Sequence, residues 1–172
     1  RRTFPNMMSR EGAKGQEFNG FMSSKDNNKP NHTTIIPFTR LLSSPMDYTP
    51  GIFNLVDYRY NSPEDRKINP NHRIPSTISK ELALYVVIYA PVQMAADLPS
   101  NYEGNPAFQF ILDVPTDWEE TKVLNGEIGE FITIARKDIN SDSWYIGSIT
   151  NEDRRSIKIC LLYTSDAADD VR

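Results

Sequence analysis

Cysteine is nearly absent from this 172-residue chain, in which Cys160 stands alone. No intramolecular disulfide or cysteine-based zinc site can form, and the redox compartment stays open. Histidine is almost as scarce. His32 has no second histidine or acid at ligand spacing, so a place in a loop or at a helix start outweighs a metal role. There is no dense run of Lys or Arg, and the net charge is −4, so the electrostatic footprint of a nucleic-acid binder is missing. The apolar run 82–90 is too short to span a bilayer. No initiator methionine or signal pattern opens the chain, and Arg1-Arg2-Thr3-Phe4 reads as the interior of a longer protein. No internal repeat is visible.

What is present is a globular composition. Hydrophobic residues make up 38%, charged residues 24% and aromatics 10%, enough for a core and too apolar for disorder. The length fits one ordinary domain or parts of two. Twelve prolines imply many stiffened connections.

One stretch stands out. Glu11 and Glu17 flank the turn-prone Gly12-Ala-Lys-Gly15. Six residues apart on a helix, the two acids would point roughly 120° away from each other, so they can converge only on a loop. The glycines let the backbone bend there, and residues 4–8 have the length and character of a short buried strand. A strand end followed by an acid-bearing loop is how an α/β barrel presents catalytic groups. Two plainer readings compete. Glutamates on a loop are commonly just solvated, and Gly-x-x-Gly also occurs in KH nucleic-acid modules, against which the acidic balance argues.

Residues 19–31 read as an exposed loop. A helix then follows, capped by Asn31, bent or begun at Pro37, with Ile35, Ile36, Phe38, Leu41 and Leu42 as its buried side. Residues 45–51 fit a short strand, and residues 58–75 a second long excursion. Residues 79–90 form the clearest helix candidate, ended by Pro91, although Val86, Val87 and Ile88 also suit a buried strand. A strand over 92–99 would place Asp97 at its carboxyl end. That order implies parallel α/β architecture. The pattern changes near Trp118, and from Val123 onwards the period becomes two. Ile132 and Ile134 lie on one strand, 138–143 is a polar turn, 144–150 is the return strand, and 156–162 would extend an antiparallel meander. Trp118 and Trp144 read as packing residues. Asn31-His-Thr33 matches a glycosylation sequon, which is irrelevant in a bacterial source.

Several ordered blocks carry a resemblance. They are residues 2–19 with both glutamates, His32-Thr-Thr-Ile-Ile-Pro-Phe-Thr-Arg40, Pro45-Met-Asp-Tyr-Thr-Pro-Gly-Ile-Phe53, Gln93-Met-Ala-Ala-Asp-Leu-Pro99, Asn101-Tyr-Glu-Gly104, Pro115-Thr-Asp-Trp-Glu119 and Val123-Leu-Asn-Gly-Glu127. In order and spacing the chain resembles glycoside hydrolase family 97, the α-glucosidases and α-galactosidases. The likeness covers about residues 1–160. It implies α/β plus β: residues 1–118 as the C-terminal third of a catalytic (β/α)8 barrel, and 119–160 as the start of a small antiparallel β domain. Residues 161–172 look like translated sequencing adapter.

By motif position, the resemblance makes Glu17 the general acid and also a calcium ligand, and Glu11 a second Ca2+ ligand. A glycosidic oxygen leaves poorly unless protonated, and a carboxyl of raised pKa can protonate it. Calcium needs six to eight oxygens, so other ligands must come from upstream. A nearby divalent cation would also favour ionised Glu17, which opposes an acid role. Asp47 and Asp97 either contact sugar hydroxyls or support loops. Tyr48 either stacks on a sugar ring or fills the core. The expected protein is a calcium-dependent, exo-acting, periplasmic α-glycosidase acting on an oligosaccharide, without nucleic acid or a transmembrane segment in this stretch. The second carboxylate, base or nucleophile, lies upstream of Arg1, so the isolated piece is expected to be inactive. A non-catalytic carbohydrate-binding relative of the same barrel, or a structural interaction role for the β part, are the alternatives.

Overall fold

The computed structural model describes residues 9–18, 28–56 and 73–160. The expected strand at 4–8, most of the two loop excursions and the tail 161–172 lie outside these residues.

The first described segment, 9–18, is a loop. Helix α1 (Pro30–Ile35) follows, then two 3-10 turns, Ile36–Phe38 and Arg40–Leu42. Lys29, not Asn31, occupies the N-cap, because Pro30 sits in the first helical turn where its missing N–H costs nothing. Pro37 falls where the α-helix tightens to 3-10. Leu42 is not buried as expected but 79% exposed, because the second 3-10 turn rotates it away from Ile36.

Residues 45–51 and 92–99 do not form the strands expected of them. Among the described residues they meet in a single parallel bridge, Tyr48 to Gln93. Their other backbone bonds come one at a time: Asp47 N–H to Arg10 O at 3.1 Å, Met46 N–H to Tyr89 O at 3.0 Å and Ala96 N–H to Pro50 O at 3.0 Å. Asp97 consequently ends no strand. It precedes a short helix over Pro99–Tyr102, the third in the chain and labelled α3.

Helix α2 (Ile78–Val87) settles the helix-or-strand ambiguity of 79–90. Thr77 caps it by accepting a bond from the Lys80 N–H. It stops at Ile88, whose backbone is extended, before Pro91 is reached. Helix α4 (Phe108–Asp113) closes this half of the chain.

Three antiparallel strands follow in the order β1 (Trp118–Glu127), β2 (Phe131–Asp138) and β3 (Trp144–Thr150). The hairpin of β2 and β3 is the one read from the sequence. Strand β1 was not, and the meander's extra strand is β1 on the near side rather than 156–162. Residues 154–160 carry no strand and lie near β1 through Asn125 Nδ2 donating to Lys158 O at 3.1 Å.

Helix α2 lies across the inner face of this sheet, and one core cluster joins Leu84, Val87 and Ile88 to Ile132, Ile134 and Ile149. Two polar ties fix the joint. Arg136 on β2 donates from Nε to Val86 O at 2.6 Å, satisfying a carbonyl at the helix C-terminus, where positive charge is favoured. Burial lowers its pKa to about 10, which leaves it charged at neutral pH. At the other end of α2, Lys80 Nζ donates to Pro30 O at 2.8 Å and to Thr150 O at 2.9 Å. Gly147 on β3 lets the helix approach closely. A Cβ there would sit 2.8 Å from Ala83 O, 2.8 Å from Val86 Cβ and 3.0 Å from Val87 Cγ2.

Candidate active site

Loop 9–18 brings Glu11 and Glu17 together. Their carboxyls lie close enough for Glu11 to act on Glu17, although six residues separate them. Gly12 makes the bend with φ +121°, a conformation that disfavours any side chain. Gly15 serves differently from the expected bend: a Cβ there would lie 2.2 and 2.6 Å from the Glu17 carboxylate oxygens and 2.6 Å from Thr49 Oγ1. Its missing side chain is the space the Glu17 carboxyl occupies.

The loop has few apolar anchors and is held by polar side chains. Asn28 Nδ2 donates to Gly15 O at 2.8 Å. The His32 ring donates from Nε2 to Lys14 O at 3.0 Å, which makes His32 a loop support and not a ligand. Arg40 Nη2 donates to Arg10 O at 2.9 Å and to Glu11 O at 2.8 Å. Gln16 Nε2 donates to Glu81 Oε1 at 3.1 Å.

Glu81 is a fully buried carboxylate on α2. Besides Gln16 it accepts from the Gly51 N–H at 3.0 Å, the Ile52 N–H at 3.3 Å and the Ser76 hydroxyl. Burial raises its pKa, opposed by the Ser76 and backbone bonds. Sequence reasoning missed Glu81. Its signal was a carboxylate on the same helical stripe as Leu84, Tyr85 and Ile88, where a charge needs buried donors.

Asp47 lies near enough to Glu17 to act on it electrostatically. The Glu17 pKa is raised, first by burial, against a backbone N–H that lowers it, and then by the nearby Glu11 carboxyl and the charge of Asp47. Five of the eight buried side-chain polar atoms lacking a partner among the described residues gather here: Glu17 Oε2, Asp47 Oδ1, Tyr48 Oη, Thr49 Oγ1 and Gln93 Oε1. Orphaned buried polar atoms are rare, and so many in one place mark a surface made to meet something polar.

The other expected contacts resolve differently. Tyr48 is 1% exposed among Met46, Leu84 and Val87, so its ring fills the core and offers no face to a sugar. Burial pushes its hydroxyl well above the ordinary range. Asp97 is a loop support: one oxygen accepts from the Phe53 and Asn54 N–H groups at 2.8 and 2.7 Å, the other from the Leu98 N–H and Asn101 Nδ2 at 2.8 and 2.6 Å. Four donors leave it little capacity for a ligand.

Unpaired Glu17 and Asp47 oxygens are the donors a hard cation takes. Among the described residues, however, no three of His, Cys, Asp and Glu converge as a metal group. These residues therefore fit part of a calcium shell and do not complete one. No helix among them is long and apolar enough to cross a membrane.

Residues 117–169 match the family described as glycosyl-hydrolase 97 C-terminal, oligomerisation. The retaining α-galactosidase of Bacteroides thetaiotaomicron is 36% identical over 167 residues, covering 96% of this chain and 24% of the relative. A probable retaining α-galactosidase of Streptomyces bingchenggensis is 33% identical over 147 residues, covering 85% of this chain and 20% of the relative. Among solved structures, a family 97 enzyme from a Pseudoalteromonas species in complex with panose superposes with a TM-score of 0.76 at 47% identity, covering 91% of this chain and 23% of that one. The same enzyme in complex with acarbose gives a TM-score of 0.76 at 48% identity. The chain thus spans about a quarter of the length of the relatives it matches. Over that quarter it is similar to enzymes of glycoside hydrolase family 97, and its three-stranded sheet falls in the segment that matches the family's C-terminal domain.

Proposed function

We propose that this chain is part of an exo-acting α-glycosidase that removes terminal α-linked glucose or galactose from an oligosaccharide, with Glu17 as general acid. The observation that carries the reading is the Glu17 environment: a carboxyl whose pKa is raised first by burial and further by two neighbouring acids, Glu11 and Asp47. Such a group holds its proton to higher pH than a free glutamate and can pass it to a departing glycosidic oxygen.

In this reading Glu11 and Glu17 are also calcium ligands, completed by oxygens from outside the described residues. A bound cation would offset the mutual repulsion of the acids. Asp47 sustains the raised pKa of Glu17 and presents an unpaired oxygen toward the same space. The surrounding scaffold is read as the last part of a (β/α)8 barrel over 1–118, followed by a β domain over 119–160. The backbone bond from Asp47 to Arg10 and the parallel Tyr48–Gln93 bridge support it. A periplasmic location belongs to the same proposal. The relatives' descriptions as retaining α-galactosidases and as a panose-bound enzyme support the substrate class.

The test is substitution in the complete enzyme. Glu17→Gln should depress hydrolysis of α-glycosides with poor leaving groups about 10²–10⁴-fold, while activated aryl glycosides, which need no acid, lose far less. Equal loss on both would sink the acid role. Glu11→Gln should weaken the calcium dependence of activity, and an unchanged calcium titration would remove Glu11 from the shell.

A further inference from the structure

We infer that Arg40 is the positioning residue of the carboxylate site, a guanidinium clamp that sets the backbone from which Glu11 projects. The inference rests on the reading of Glu11 and Glu17 as the working pair.

Arg40 opens the second 3-10 turn, and its side chain reaches away from that turn. Nε donates to Glu11 O at 3.0 Å, and Nη2 donates to the same oxygen at 2.8 Å and to Arg10 O at 2.9 Å. The remaining edge of the group, Nη1, donates to Ser44 O at 3.1 Å, on the segment leading to Asp47. One planar fork therefore spans the carbonyls before the acid loop and those before Asp47. The Arg10 carbonyl is shared, because the Asp47 N–H also donates to it at 3.1 Å. Both neighbours of Glu17 are referred to one guanidinium.

The chemistry requires arginine. Lysine offers a single nitrogen with three donors and cannot hold the Arg10, Glu11 and Ser44 carbonyls from separate points in one plane, whereas guanidinium carries five N–H donors in a fixed fork. Gly12 is shaped to this group as well. A Cβ at Gly12 would lie 2.6 Å from Arg40 Nε, so the left-handed glycine and the clamp form one unit. Glu11 is exposed and has no apolar packing of its own, so its carboxyl goes where its backbone is held.

A hollow of about 620 Å³ lined by Arg10, Glu11, Gly12, Arg40, Ser43 and Ser44 opens beside the clamp and gives a small cation access to it. The experiment uses the complete enzyme and an α-glycoside with a poor leaving group, with guanidinium chloride at sub-denaturing concentration as the rescuing probe. Arg40→Ala should lower kcat about 10–100-fold, the scale of a misplacement near 1 Å, with KM within about twofold. Added guanidinium should restore kcat several-fold in Arg40→Ala and not at all in Glu17→Gln. Arg40→Lys should remain close to Arg40→Ala. Wild-type kcat in Arg40→Ala, full activity in Arg40→Lys, or a loss that follows the melting temperature and ignores guanidinium would each overturn the clamp. A fully active Glu17→Gln would instead sink the acid reading itself, so the two failures are separable.

Discussion

Gly147→Ala adds one methyl at the joint between helix α2 and the sheet, and its cost can be worked from the geometry. The new carbon would sit 2.8 Å from Ala83 O, 2.8 Å from Val86 Cβ and 3.0 Å from Val87 Cγ2, where ordinary contacts need about 3.5–4.0 Å. Two of those neighbours cannot swing aside, being a main-chain carbonyl and a Cβ. Relief requires α2 to lift by most of an ångström, yet α2 is held by Arg136 at Val86 O and by Lys80 at Thr150 O. Lifting it also opens the contact of Leu84, Val87 and Ile88 with Ile132, Ile134 and Ile149. Overpacking a tight core costs about 1–3 kcal/mol, and a site with no flexible neighbour belongs at the upper end. The assay is urea denaturation of the complete protein followed by circular dichroism and tryptophan fluorescence. Gly104→Ala supplies the scale: nothing lies within 4 Å of a Cβ there and only its positive φ resists, at roughly 1 kcal/mol. If Gly147→Ala is no more destabilising than Gly104→Ala, the account of the joint is wrong.

Lys80→Met tests the other end of the same helix. Burial lowers the folded-state pKa of Lys80 to about 8 from 10.5, so the unfolded chain holds the extra proton between those values and wild-type stability should rise with pH across that window. The rise is at most about 3 kcal/mol, and it should vanish in Lys80→Met; parallel stability curves for the two proteins would refute it. Glu81→Gln places an amide N–H₂ against the donors of Gln16, Ser76, Gly51 and Ile52, and should cost roughly 2 kcal/mol or more through donors left unpaired. Because Gln16 neighbours Glu17, kcat should fall in Glu81→Gln even at temperatures where the fold is intact; retained kcat would detach Glu81 from the site.

Much of this was legible from residues alone where the signal is local. Thr77, the apolar stripe of α2 and the alternation of Ile132 with Ile134 each declare their element, and the spacing of Glu11 and Glu17 admits convergence only on a loop. Strand β1 was hidden because it carries no alternation: most of Trp118–Glu127 is exposed on both faces, and its order comes from pairing with β2. The extended pieces around Tyr48 and Gln93 read as strands because several of their side chains are apolar, but their backbones bond one residue at a time, to Arg10, to Tyr89 and to each other. The clamp and the buried carboxylate were out of reach for a different reason. Arg40 and Glu81 look like surface charges until partners 29 and 65 residues away are known.

Helix α2 is a strut about 15 Å long, tied to the sheet at both ends by Lys80 and Arg136 and to the acid loop by Glu81. Near its start Glu81 holds Gln16, the residue before the proposed acid, while at its far end Arg136 grips Val86 O from within the sheet. A rigid rod joined in this way passes displacement rather than absorbing it. If the sheet shifts as a body, Gln16 moves with it, and the alignment of the proposed acid Glu17 is set in part from the far side of the helix.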